Sequence, residues 1–278
     1  MIPYSTQTIE YDDLEAVRDV LTSPFLTCGP KITEFEDKVC TYTGANFAVG
    51  VNSCTSALHL AMIALGVSKG DRVFVSAISF VASSNCARYQ GADVDFIDVD
   101  KFTGNLDVDS LEQMLIDADK EHRLPKVVVA VHLSGRAVDL ERIAKLKAKY
   151  GFYLIEDAAH AFGAIYHDTM IGSCKFSDIT VLSFHPVKII TTAEGGMCLT
   201  NNENLYKLMR KFSTHGIEHN LDALENKDMP AYYYEMQDLG FNYRLSDLQA
   251  ALGISQLAKV DELLRKRREI AHDYQELL

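Results

Sequence analysis

Short apolar runs rich in β-branched residues recur along the chain. They lie at Phe47–Val51, Arg72–Ser76, Val94–Val99, Lys126–His132, Phe152–Ile155, Ile179–Phe184 and Gly196–Thr200. Between most of them the apolar positions switch to helical spacing, over Cys54–Leu65, Val81–Tyr89, Ser110–Ala118 and Leu140–Tyr150. The runs are apolar on both faces, as strands are when helices cover both sides of a sheet. Strand and helix alternating at this spacing predict an α/β fold: a mostly parallel seven-stranded sheet between helices.

No repeat, low-complexity tract or Pro/Gly-rich linker divides the chain. Residues 217–240 are irregular, with three consecutive tyrosines at Tyr232–Tyr234. They predict a long excursion that faces a partner or a substrate. A helix start follows, where Ser246 and Gln249 fit a capping box ahead of Leu248, Leu252, Leu257 and Val260. That pattern continues through Arg265 and Ile270 to Leu278 with no Gly or Pro after Gly253. Residues 246–278 are therefore expected to be helical, running toward something that follows.

Composition narrows the function. The 278 residues are 47% hydrophobic, enough for a large core. Lys and Arg number 27 against 39 Asp and Glu, for a net charge of −12. Such a field repels nucleic acid and anionic membranes, so neither is an expected partner. Arg18 is the sole basic residue among the first twenty and no apolar run accompanies it, so no secretory signal is read there. Apolar stretches such as Ala61–Leu65 are far too short to span a bilayer. Six cysteines, none in C-x-x-C spacing, read as thiols of a reducing compartment, and a cytoplasmic protein is expected.

In open α/β sheets ligands bind beyond the carboxyl ends of the strands, so the residues that end each run carry the chemistry. The first run ends in Asn52-Ser53-Cys54-Thr55-Ser56 and enters a helix. Free N–H groups and hydroxyls there suit a phosphate, although simple capping by Ser53 or Thr55 explains them as well. The fifth run ends in Glu156-Asp157-Ala158-Ala159-His160. An acid after a buried strand is costly without a cationic partner, and Asp157 suits a protonated ring nitrogen as well as it suits a cap or a salt bridge. The sixth ends in Ser183-Phe184-His185-Pro186-Val187-Lys188. A lysine held among apolar neighbours can lose its proton and form a Schiff base. Phosphate cradle, acid and lysine at one sheet edge are the three partners that pyridoxal phosphate needs.

In these motifs the chain resembles the nucleotide-sugar aminotransferases of the DegT/DnrJ/StrS family, in the aspartate aminotransferase fold group. The resemblance rests on Gly29-Pro30 with Phe35-Glu36, Asn52 to Leu60, Glu156 to His160, Ser183 to Lys188, Ala193-Glu194-Gly195-Gly196 and Asn242 to Gly253, which span nearly the whole chain in the family's order. It implies a PLP fold type I large domain over residues 1–245. It also implies that residues 246–278 open the connection to a small C-terminal domain that this sequence lacks. Lys188 would carry the cofactor and Asp157 would pair with its ring nitrogen. Thr55, Ser56 and Ser183 would hold its phosphate, Phe80 would stack on the ring, and His160 would lie near the ring hydroxyl. Asn242 would reach the phosphate of the neighbouring subunit in a homodimer. The wording around Lys188 and Glu194 is most similar to the subgroup that makes a 4-amino sugar precursor of pseudaminic acid, with the lipid A aminoarabinose subgroup close behind. The implied reaction moves an amino group from an amino acid, glutamate being the expected donor, to a nucleotide-linked 4-keto-6-deoxy sugar. Cys54 departs from the family, where Gly is common.

Two rivals stay open. A sugar dehydratase of the same fold replaces the lysine, often by His, so Lys188 argues against it. A catalytically silent dimeric module would be colourless. Weaker signals carry less. His215-Gly216-Ile217-Glu218-His219 matches H-x-x-E-H, but Gly216 argues against the helix that zinc chemistry needs. The acidic strand Asp93–Asp100 lacks the glycine of a calcium loop. No metal is expected.

Overall fold

The computed structural model describes residues 5–278. In chain order the elements are α1 (Tyr11–Leu21), α2 (Pro30–Thr43), β1 (Phe47–Val51), α3 (Cys54–Ala64), β2 (Arg72–Ser76), α4 (Ala82–Tyr89) and β3 (Asp93–Ile97). Then come α5 (Val108–Lys120), β4 (Val127–Val131), α6 (Leu140–Tyr150), β5 (Tyr153–Asp157), the small ribbon β6 (Ile165–Tyr166) and β7 (Thr169–Met170), and β8 (Ile179–Ser183). The chain continues through β9 (Gly196–Thr200), α7 (Glu203–Ser213), a second ribbon of β10 (Ile217–Glu218) and β11 (Glu235–Met236), α8 (Asp247–Leu257) and α9 (Val260–Leu277).

Seven strands form one sheet in the order β1-β9-β8-β5-β4-β2-β3. Only β9 pairs antiparallel to its neighbours, so the other six run in one direction. The mostly parallel seven-stranded sheet expected from the apolar runs is what the chain forms. Alternation along each strand splits the core in two. Phe74, Val128, Ala130, Leu154 and Leu182 face one layer with Phe35 of α2, Leu111 of α5, Ile143 of α6 and Ala250 of α8. Val73, Val75, Val129, Ile155 and Val181 face the other, with Leu58 of α3, Cys86 of α4 and Met209 of α7.

Three helices lie outside the helical segments named from the pattern: α1, α2 and α7. In α2 the buried positions are Phe35, Glu36, Val39 and Thr43, and two of these four are polar. Glu36 is tolerated because its carboxylate accepts from Gly50 N at 2.6 Å and from Arg210 Nη2 at 2.6 Å. In α1 the buried Asp13 accepts from Lys259 Nζ and Gln256 Nε2, both at 2.8 Å. At the chain's far end, Ser246 and Gln249 form the expected capping box of α8. Leu257 and Val260 reach the core, whereas Ile270 is exposed. No described helix is long and apolar enough to cross a membrane.

Candidate active site

Because six strands run the same way, their carboxyl ends share one edge, and the first residue of the reversed β9 lies there too. A cavity of about 520 Å³ opens at that edge. Its lining includes Ser53, Cys54 and Thr55 after β1, Phe80 after β2, and Leu133 after β4. Asp157 and His160 at the end of β5, Ser183 and Lys188 at the end of β8, and Gly195 before β9 complete it. The three clusters read from separate strand ends therefore meet in one hollow.

Each cluster has a local cause. Ser53 caps α3 by accepting from Ser56 N at 3.1 Å. The N–H groups of Cys54 and Thr55 then remain as free first-turn donors at the cavity. Gly196 closes the other side of this cradle, where a Cβ would lie 2.5 Å from Cys54 N. The hydroxyls of Thr55 and Ser183 and the amine of Lys188 have no hydrogen-bond partner among the described residues, and all three line the cavity. A phosphate at this helix start has the donors it needs.

Glu156 and Asp157 are neighbours on β5 and so point to opposite faces. Glu156 turns into the core. His132 Nε2 donates to its Oε2 at 2.9 Å, Val138 N donates to His132 Nδ1 at 3.2 Å, and Ser177 and Thr180 donate to Oε1. Asp157 turns toward the cavity. Ser83 Oγ donates to its Oδ2 at 2.7 Å and Ala159 N to its Oδ1 at 3.1 Å. These bonds fix the carboxylate plane without neutralising its charge, so its cation is left for the cavity's occupant to supply.

Lys188 sits on the turn between β8 and β9. Burial holds its amine below the usual lysine range, while Cys54 and the charge of Asp157 act in the opposite direction. Arg267 Nη2 of α9 donates to the Lys188 carbonyl at 2.9 Å. Burial pushes the Cys54 thiol well up.

Of the residues expected from the motifs, Thr55, Phe80, Asp157, His160, Ser183 and Lys188 all border the cavity, with Phe80 at an exposed rim. Two do not. Ser56 spends its hydroxyl on Asn52 Oδ1 at 2.6 Å. Asn242 is exposed outside the hollow, and its backbone bridges to Thr214. Ser83 shows no sign of this role in the sequence, where it looks like an ordinary first-turn serine of α4. His215 precedes β10 and has φ 63°, so the H-x-x-E-H stretch is a turn and strand, not a helix.

The donors at the α3 start, an uncompensated acid and a half-buried amine fit pyridoxal phosphate. The model of the DegT/DnrJ/EryC1/StrS aminotransferase family matches residues 7–278. The chain belongs to this family. It is similar to the UDP-4-amino-4,6-dideoxy-N-acetyl-beta-L-altrosamine transaminase of Campylobacter jejuni, at 42% identity over 99% of this chain and 69% of the relative. Among solved structures, Helicobacter pylori PseC, an aminotransferase involved in the biosynthesis of pseudoaminic acid, superposes with a TM-score of 0.88 at 33% identity, over 99% of this chain and 70% of that one. The PLP form of the putative sugar aminotransferase Spr1654 from Streptococcus pneumoniae superposes with a TM-score of 0.85 at 28% identity, over 99% of this chain and 71% of that one. The cavity is thus the candidate active site of an aminotransferase.

Proposed function

We propose that this aminotransferase uses pyridoxal phosphate to move an amino group from glutamate to a nucleotide-linked 4-keto-6-deoxy sugar. The observation that carries the reading is the convergence of Thr55, Asp157, Ser183 and Lys188 on one cavity. The relatives' names point the same way for the sugar, since one acts on a UDP-linked amino sugar and another serves pseudoaminic acid biosynthesis.

The chain's own residues divide the work. Thr55, Ser183 and the first-turn N–H groups of α3 hold the cofactor's phosphate. Asp157, oriented by Ser83, keeps the ring nitrogen protonated. Pyridoxal phosphate, when bound, supplies a ring that withdraws the electron pair released at the donor's α-carbon. Lys188 Nζ would carry the proton from that carbon to the cofactor's aldehyde carbon in the first half-reaction, and from the aldehyde carbon to the sugar's C4 in the second. Its lowered pKa suits the shuttle, because a less basic amine gives up more readily the proton it has taken. The exposed Asn242 is assigned to the neighbouring subunit's phosphate site in a homodimer, which sedimentation of the loaded enzyme tests.

The main experiment is Lys188→Ala. The parent chain is expected to be yellow and to gain the mass of the cofactor after borohydride treatment; the variant is expected to do neither. A colourless parent, or a variant that still gains the mass, defeats the reading. Product identification with glutamate and a panel of UDP- and dTDP-linked keto sugars then tests the substrates.

A further inference from the structure

His160 stands where two hollows meet. It lines the cavity of Lys188 and Asp157, and also a second hollow of about 480 Å³ bounded by Ser134, Gly135, Phe162, Leu264 and Arg267. A neutral imidazole carries its proton on one nitrogen and accepts at the other. Which nitrogen holds the proton therefore decides whether His160 gives or takes a hydrogen bond at the reacting atoms.

The backbone N–H of Ser134 points at His160 Nδ1, 3.3 Å away. A backbone N–H only donates, so Nδ1 is the acceptor and the ring proton lies on Nε2. Nε2 has no protein partner among the described residues.

The turn that delivers this N–H is strained and tightly held. Ser134 is left-handed, with φ 54° and ψ 22°, a conformation that residues other than glycine adopt at a cost. Gly135 follows with φ 86°, and a Cβ there would lie 2.8 Å from the carbonyl oxygen of His160. The buried Asn105 clamps the turn from behind. Its Oδ1 accepts from Leu133 N at 3.0 Å, and its Nδ2 donates to the carbonyls of Arg136 and Ala137 at 2.9 and 3.2 Å. Strain of this kind persists only where the surroundings over-determine it, and here its outcome is one N–H aimed at one ring nitrogen.

We propose that the Ser134–Gly135 turn, clamped by Asn105, fixes His160 as its Nε2–H tautomer, a hydrogen-bond donor to an anionic oxygen of the cavity's occupant. Ser134 and Asn105 are positioning residues, and Lys188 is left as the base of the site. The electrostatic setting agrees. Burial and the positive charge of Lys188 hold the His160 ring below its ordinary pKa, against the opposing charge of Asp157. Arg267 and Arg268 of α9 also line the second hollow. His185 is the other imidazole lining the first.

The tautomer itself does not depend on the cofactor reading; only the identity of the oxygen does. Scalar coupling across the N–H···N bond, between the Ser134 amide nitrogen and His160 Nδ1 in the ¹⁵N-labelled chain, reads the contact directly. A measurable coupling and a single Nε2–H tautomer above neutral pH are expected, and absence of coupling or a mixture of tautomers overturns the proposal. Asn105→Ala frees the turn and is expected to abolish the coupling. It should also raise the His160 pKa by about half to one unit, the worth of one lost hydrogen bond to the neutral ring. Ser134→Gly keeps the N–H and suits the left-handed backbone, so coupling and pKa should survive. Loss of coupling in Ser134→Gly, or no change in Asn105→Ala, also overturns it. A chain that shows the coupling but stays colourless with pyridoxal phosphate supports this inference and sinks the cofactor reading alone.

Discussion

Ser83, the second residue of α4, donates its hydroxyl to Oδ2 of Asp157 at 2.7 Å, so a helix on one strand's far side orients the acid at the end of another. The remaining bond to Asp157, from Ala159 N, holds only the other oxygen. Ser83→Ala should leave the fold intact and weaken pyridoxal phosphate binding by about 10-fold, the scale of one hydrogen bond to a charged group. Equilibrium titration of the cofactor's fluorescence checks this. Unchanged affinity would mean that Ser83 does not orient the carboxylate.

Asp157→Asn keeps the shape and both local hydrogen-bond partners but loses the charge. The protonated ring nitrogen is then unsupported. The half-reaction with glutamate should slow by about 100-fold or more, within the range of a lost acid–base group. Single-turnover absorbance measures it, and a rate equal to the parent's removes Asp157 from this role.

The start of β9 is set by space. A Cβ on Gly196 would meet Cys54 N and the Ser53 carbonyl carbon, each at 2.5 Å, and backbone atoms cannot swing aside as side chains do. Gly196→Ala must push β9 away from the α3 start. We expect a stability loss of about 1–3 kcal/mol in thermal or denaturant unfolding, with cofactor affinity falling alongside. A variant as stable as the parent would show that the cradle has slack.

The amine of Lys188 and that of Lys120 are shifted in opposite directions. Burial lowers the first, whereas the hydrogen bond that the exposed Lys120 donates to Asp117 raises the second. Reaction with an amine-directed reagent requires the neutral form, so its rate rises with pH through each pKa. In the cofactor-free chain the labelling midpoint of Lys188 should lie below that of Lys120. Comparing midpoints rather than rates removes the difference in access, and peptide mass spectrometry reads both. Coincident midpoints would refute the shift.

Much of the fold was legible because strand signals are local. The runs at Phe47–Val51, Arg72–Ser76 and Gly196–Thr200 are the observed β1, β2 and β9. Asp157 and Lys188 were findable for the same reason, as polar residues where an apolar run stops. What stayed hidden depends on partners distant in sequence. Asp13 in α1 and Glu36 in α2 break the apolar spacing, and their burial is tolerable through partners elsewhere in the chain, Lys259 and Gln256 for the first and Arg210 and Gly50 for the second. Ser83 gives no local hint, since its partner is on another strand's end. Asn105 likewise reads as a loop residue until the turn at Ser134 is seen beside it.

The reversed direction of β9 has a consequence for how the chain folds. Ser183 pairs with Gly196 across a single return of the backbone, whereas Val75 must find Val129 and Val51 must find Gly196 over far longer stretches. Loop closure costs least for the shortest return, so the hairpin that carries Lys188 is the most local piece of the sheet and the cheapest to form. Asp157 and Thr55 join it only when the long crossovers close. Capture of the proposed cofactor is accordingly expected late in assembly, and the growth of its colour during refolding should report the docking of the remote strands rather than the formation of the hairpin.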